Sequence, residues 1–207
     1  MSRIVLASNN PRKLVELRRT FESTGTPVEV VGLSEVSDAP APAETGTTFV
    51  ENALIKARAA ARDTGLPALA DDSGLEVDAL NRMPGISSAR WSGREATDAR
   101  NLQLLLDQTF DLPHERRRGR FVCAMAFVDP DGIEITKVAT MEGRIISEAR
   151  GANGFGYDPM FQPDGDHRTF GEISSAEKHG VDWQTGNALS HRARAFVLLA
   201  QTCLRRP

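Results

Sequence analysis

Asp129-Pro130-Asp131-Gly132 separates two β-rich segments, Phe121 to Val128 and Ile133 to Met141. Asp, Pro and Gly at such a junction carry the turn chemistry that joins neighbouring antiparallel strands, so the two segments are expected to form a hairpin. The N-terminal half reads differently, as strands alternating with helices. Ile4-Val5-Leu6-Ala7 is a short buried strand, Asn10-Pro11 an N-cap followed by proline at the first helical position, and Thr24-Gly25 the stop after about Ser23. Val28 to Val31 is a second strand. Thr48-Phe49-Val50-Glu51 is a capping box opening a helix that runs to Gly65, and Pro67 to Ala70 is a third strand. A chain of this kind is α/β, and the hairpin marks a second lobe.

The bulk composition narrows the partners. With 207 residues, 40% hydrophobic and 26% charged, the chain can bury one sizeable core. Its net charge of -3 gives no overall attraction to nucleic acid or to an anionic membrane. A polyanion would have to meet a local basic site. Two cysteines, Cys123 and Cys203, make neither a disulfide scaffold nor a metal site, and a reduced, cytoplasmic setting is expected. The apolar run from Ile4 to Ala7 is too short for a signal peptide or a membrane span.

Leu69-Ala70-Asp71-Asp72-Ser73-Gly74 sends an apolar strand into an acidic turn. Successive side chains of an extended segment point opposite ways, so Asp71 and Asp72 are expected to divide their work. One braces the turn while the other faces a cleft. Arg12 and Lys13 occupy the first turn of the first helix, where cations oppose the helix dipole. A bound anion would relieve that conflict, and the amides of Ser8-Asn9-Asn10 with Lys13 suggest a phosphate cradle that is not a Walker loop. The same misplacement recurs at Ser190-His191-Arg192, where a good N-cap is followed by His191, Arg192 and Arg194. Two such starts in an acidic chain point to one shared anionic or electron-rich ligand. In Gly154-Phe155-Gly156-Tyr157-Asp158, glycines permit close approach while Phe155 and Tyr157 offer flat surfaces to a base. Glu44 is a loop carboxylate that matters if it meets Asp72. Asn52 and Lys56, one helical turn apart, read from spacing alone as helix surface. The basic run Arg116 to Arg120 reads as a solvated face.

Taken in order, these pieces resemble the inosine triphosphate pyrophosphatase family, also called Ham1 or non-standard purine NTP pyrophosphatases. The matching stretches are Ser8 through Lys13, Glu44-Thr45-Gly46 with Thr48 to Ala53, Ala70 to Leu75, Pro84-Gly85 through Arg90, Gly154 to Pro159 and Ser190-His191-Arg192. The resemblance implies an elongated, two-lobed mixed sheet with flanking helices and a central cleft, one catalytic unit over residues 1–207, and a homodimer. It implies hydrolysis of ITP, dITP and XTP to the monophosphate and pyrophosphate. Residue by residue, it implies that Ser8, Asn9, Asn10, Pro11, Arg12 and Lys13 hold phosphates. Glu44 and Asp72 would bind Mg²⁺, with Asp72 also the general base. Ser73, Phe155, Gly156, Tyr157, Asp158, Lys178, His191 and Arg192 would line the substrate site, and Lys56 is a further phosphate candidate. One departure stands out: residues 179–189 intervene between Lys178 and Ser-His-Arg, where the family keeps the two close. Gly180 and Gly186 suggest a loop excursion that leaves both ends in place. Two other readings remain: a Maf-like pyrophosphatase with another base preference, and a nucleotide-binding module without catalysis.

Overall fold

The computed structural model describes residues 2–8, 10–23, 25 and 28–204. Asn9 lies outside them. The strands are β1 (Ser2–Leu6), β2 (Val28–Gly32), β3 (Ala68–Val77), β4 (Met83–Pro84), β5 (Arg118–Val128), β6 (Glu134–Ile145) and β7 (Phe161–Pro163). They form one seven-stranded sheet of order β2-β1-β3-β5-β6-β7, with β4 on β3. β1 runs parallel to β2 and β3, whereas the pairs from β3 through β7 are antiparallel. The expected hairpin forms as β5 and β6, in the same sheet as the N-terminal strands.

Helices cover both faces. In α1 (Pro11–Ser23), the Asn10 side chain accepts the Arg12 amide at 3.0 Å, and Leu14, Leu17 and Phe21 turn inward towards Ile4, Leu6 and Val30. α5 (His191–Leu204) packs on the same face through Ala195, Phe196 and Leu199. On the other face, α2 (Phe49–Thr64) has its capping box formed at both bonds and ends on Gly65 at φ 65°. Its stripe of Ala53, Ala57, Ala60 and Ala61 meets Ala68, Ala70, Ala124 and Ala126, so small side chains on both surfaces bring helix and sheet close. A third cluster, with Leu105 of α3 (Asp98–Gln108), gathers Phe121, Phe161 and Phe170 around the distal ends of β3, β5 and β6.

Three expectations change. Asp71 and Asp72 lie inside the ten-residue β3, paired across to Met125 and Ala124, rather than in a turn. The basic run is not a uniform solvated face: Arg117 is buried, donating to the carbonyls of Thr109, Phe110 and Leu112. Asn52 is fully buried and Lys56 largely so, which removes them from the helix surface. The excursion after α4 (Ser175–His179) is a small hairpin, β8 (Val181–Asp182) with β9 (Asn187–Ala188). The Ser190 amide donates to the Lys178 carbonyl at 3.0 Å, so the two ends of the excursion meet. Among the described residues no helix is long and apolar enough to cross a membrane.

Candidate active site

The sheet places its two adjacent aspartates on opposite faces, as the period of two requires. Asp72 turns towards α2. Its Oδ2 accepts from Asn52 Nδ2 at 3.2 Å and its Oδ1 from Lys56 Nζ at 3.1 Å. Lys56 also donates to Glu44 Oε1 at 2.9 Å, drawing the loop carboxylate beside the strand carboxylate. Asn52 is oriented in turn by the Gly46 amide, which donates to its Oδ1 at 2.9 Å and pins the loop two residues beyond Glu44. Burial pushes the Asp72 carboxyl above its ordinary value; Lys56 opposes the shift and the Glu44 charge adds to it.

Asp71 turns towards α1 and α5. Lys13 Nζ lies 2.9 Å and Arg192 Nε 3.2 Å from its carboxylate, and Ser73 Oγ donates to it at 2.9 Å. Burial alone would raise this carboxyl, yet Lys13, Arg192 and Lys56 hold it well below the usual carboxylate range. Arg192 Nη1 reaches Glu16 Oε2 at 2.7 Å, and His179 Nε2 lies 3.1 Å from Glu16 Oε1. Burial works against ionisation of Glu16 too, but His179 and Arg192 bring it to about 2. Lys13 and Arg192 are therefore already balanced by the carboxylates of Asp71 and Glu16, whereas Arg12 and Arg194 donate to backbone carbonyls. For Lys13 and Arg192 this corrects the expectation that a cation at a helix start is relieved only by an external anion.

The two helix starts do open onto one cleft of about 590 Å³. Ser8, Asn10, Pro11, Arg12 and Lys13 line it at the start of α1, and His191 and Arg192 at the start of α5. Glu44, Lys56, Asp72 and Ser73 form its acidic wall. Phe155, Gly156, Tyr157, Asp158 and Lys178 complete it. The Phe155 ring has Arg12 and Arg192 at 5.9 and 5.7 Å, and Arg12 Nη1 donates across the cleft to the Gly154 carbonyl at 3.2 Å. Tyr157 is packed rather than presented: it is buried, and its hydroxyl donates to the Ser88 carbonyl at 2.8 Å. Asp158 accepts from the Phe155 amide at 2.9 Å and from Lys178 Nζ at 2.7 Å. Gly154 is needed beside it, since at φ 75° any Cβ would collide with the Asp158 carboxylate. His191 is buried, stacked on Phe121 at 4.8 Å, and its Nδ1 has no partner. Burial, then Arg192, push its pKa well below the usual value, so the ring is neutral.

Residues 4–202 match the model of the Ham1 family. The chain belongs to the Ham1 family. A dITP/XTP pyrophosphatase of Cutibacterium acnes is 78% identical over 195 residues, 94% of this chain and 93% of that protein. A crystal structure titled nucleoside-triphosphatase / dITP/XTP pyrophosphatase, from Mycobacterium abscessus, superposes with a TM-score of 0.74 at 48% identity, covering 95% of this chain and 98% of that one. A HAM1 protein from Coxiella burnetii gives a TM-score of 0.84 at 40% identity over 100% of both chains. As in those Ham1 structures, the fold is a mixed α/β sheet with flanking helices.

The donor chemistry at the acidic wall of this Ham1 chain fits a magnesium ion. Glu44 and Asp72 each aim a carboxylate oxygen at one point, the Lys56 ammonium, and hard oxygen donors are what Mg²⁺ takes. Among the described residues no group of three or more His, Cys, Asp or Glu could hold a metal by itself. Two carboxylates with the remaining positions left to phosphate and water is the usual Mg²⁺ arrangement. The sequence does not single out Glu16, Asp98 or His179 as site residues, and spacing alone put Asn52 on the helix surface. Asp98 accepts the Gly156 amide at 3.1 Å. Glu16 had one visible signal, its place one turn after Lys13 on the same helix. Asp98 had none, because its partner Gly156 lies 58 residues away.

Proposed function

We propose that the chain hydrolyses non-standard purine nucleoside triphosphates, ITP, dITP and XTP, to the monophosphate and pyrophosphate. One observation carries the reading: a single cleft has a two-carboxylate wall on one side and two cationic helix starts on the other. The names of the relatives support it, being dITP/XTP pyrophosphatases at up to 78% identity. Glu44 and Asp72 would hold Mg²⁺, which when bound neutralises phosphate charge and orients the oxygens around the scissile bond. Asp72, with its pKa raised and Oδ2 fixed by Asn52, takes a proton from the water attacking the α-phosphorus. The bond to the bridging oxygen breaks and the pyrophosphate leaves, its charge met by Lys13, Lys56 and the amides at the start of α1. Ser8 and Asn10 line the cleft beside this cradle and Pro11 opens the helix, and the family resemblance adds Asn9 as a further phosphate contact.

Base choice would follow from how the polar groups at the start of α5 are held. Arg192 is held in one orientation by Asp71 and Glu16, and the neutral His191 has a ring nitrogen without a partner. A 6-oxo purine lying against Phe155 supplies an acceptor there, whereas the amino group of adenine leaves these donors unpaired. Polar sites of this kind discriminate by up to on the order of 10⁴. We further propose that the unit is one catalytic domain of two lobes, works as a homodimer, and acts in the cytoplasm on free nucleotides rather than nucleic acid or membranes. The test is incubation of the full chain with ITP, dGTP and ATP, with and without Mg²⁺, with products identified by ³¹P NMR. Mg²⁺-dependent IMP and pyrophosphate from ITP are expected. Orthophosphate release, or equal kcat/KM for ITP and ATP, would overturn the reading.

A further inference from the structure

Lys56 stands where a divalent cation would have to sit. Its ammonium bridges Glu44 Oε1 at 2.9 Å and Asp72 Oδ1 at 3.1 Å, and no other described cation lies within 3.5 Å of either carboxylate, Arg90 being 3.8 Å from Glu44. The two oxygens of Asp72 are not equivalent. Oδ2 is bonded to Asn52, which is fully buried and fixed by the Gly46 amide. Oδ1 is bonded only to the end of a four-carbon chain that lines the cleft. Asn52 can therefore keep Asp72 oriented while Lys56 moves. A lysine side chain swings a point charge over several ångströms without disturbing its helix.

We propose that Lys56 is an internal counterion that the metal displaces. The ammonium neutralises Glu44 and Asp72 when no metal is bound, and gives up Asp72 Oδ1 and Glu44 Oε1 as these take a divalent cation. It is then free to turn into the cleft towards the phosphate chain. This inference rests on Glu44 and Asp72 being the metal ligands. It adds that metal and polyphosphate binding are coupled through one lysine: the metal pays the electrostatic cost of expelling Lys56, and an anion in the cleft recovers part of it. Occupancy by metal alone is thereby kept low, and the complete site assembles only with the anion present.

The test reads metal binding without turnover. Mn²⁺ is titrated into the full chain in the absence of nucleotide, and free Mn²⁺ is followed by electron paramagnetic resonance. Removing the positive charge that competes with the metal for these two carboxylates should tighten binding by on the order of tenfold or more, so Lys56→Met is expected to bind Mn²⁺ at least that much more tightly than wild type. Lys56→Arg, which keeps the charge, should stay within about threefold of wild type. Lys56→Gln is titrated instead if Lys56→Met does not fold. Equal or weaker binding by the neutral variants would overturn the proposal, showing that Lys56 only draws Glu44 into place. Asp72→Asn separates this from the reading beneath it. If that variant binds Mn²⁺ as wild type does, the metal site itself is wrongly placed. If it loses Mn²⁺ while Lys56→Met matches wild type, only the displacement falls.

Discussion

Asp71 contributes no contact with solvent, its side chain being 2% exposed, yet it joins Lys13 of α1 to Arg192 of α5. Replacing it by Asn keeps the shape and removes the charge. Breaking a buried ion pair by removing one partner costs about 3–5 kcal/mol. Here Glu16 still balances Arg192, and Lys13 is 16% exposed, so the lower end, about 3 kcal/mol, is the appropriate figure. For a chain of this size that corresponds to a fall in Tm of about 6–12 °C by calorimetry. The pH dependence has a definite sign. The native carboxyl sits below its unfolded value of about 3.9, so its contribution is complete above that pH and is lost as pH falls further. The gap between wild type and Asp71→Asn should be full at pH 7 and narrow steadily below about pH 4. Combining the change with Arg192→Met should show a coupling of at least about 1 kcal/mol, because one loss then partly compensates the other. A Tm change under about 2 °C, or a gap constant from pH 7 to pH 3, would refute the claim that Asp71 holds the two helix starts together.

Asp72→Asn is expected to lower kcat by about 10²–10⁴ with little change in Tm, and near-normal kcat would remove Asp72 from proton transfer. Lys13→Ala should raise KM for ITP and weaken inhibition by pyrophosphate about tenfold each; steady-state kinetics showing neither would rule out the cradle at α1. Glu16, lowered to about 2, contributes stability above its unfolded value of about 4.3 that fades as pH falls towards 2. Acid unfolding of Glu16→Gln should therefore be shallower than that of wild type between those pH values, and superimposable curves would count against the Glu16–Arg192 contact.

The features read directly from the sequence are those whose cause is local. Asn10-Pro11, the capping box at Thr48 and Glu51, and the Asp129–Gly132 turn each act within a few residues, and each forms as expected. Asp71-Asp72-Ser73-Gly74 misled for the same reason. Asp, Ser and Gly favour turns locally, but pairing with β5 from Ala68 through Val77 extends the strand through them. The cationic helix starts were visible, whereas their compensation was not, because Asp71 lies 58 residues from Lys13 and 121 from Arg192. Lys56 and Asn52 look like surface until the partners that bury them are known. Arg117 differs from its neighbours in the basic run only through carbonyls at the end of α3 and in the turn that follows it.

The position of β3 sets both halves of the site at once. Because its side chains alternate, Asp71 serves the cation face and Asp72 the carboxylate face, and a slip of one residue would exchange the partner of Lys13 and Arg192 for that of Asn52 and Lys56. Two features prevent that slip. The ladder to β5 runs through ten consecutive pairs from Ala68 to Val77. Gly74 also lies so close to the Gly85 carbonyl and the Ser88 hydroxyl that a side chain displaced into its place would collide with both. Ser88 in turn accepts the Leu75 amide at 2.9 Å. The cleft therefore reaches the substrate with its opposed charges already spaced. Under the proposal above, binding would displace Lys56 and bring in a metal, but the two helix starts are already joined through Asp71. Such prior fixing of charges is what lets a site favour the transition state over the ground state.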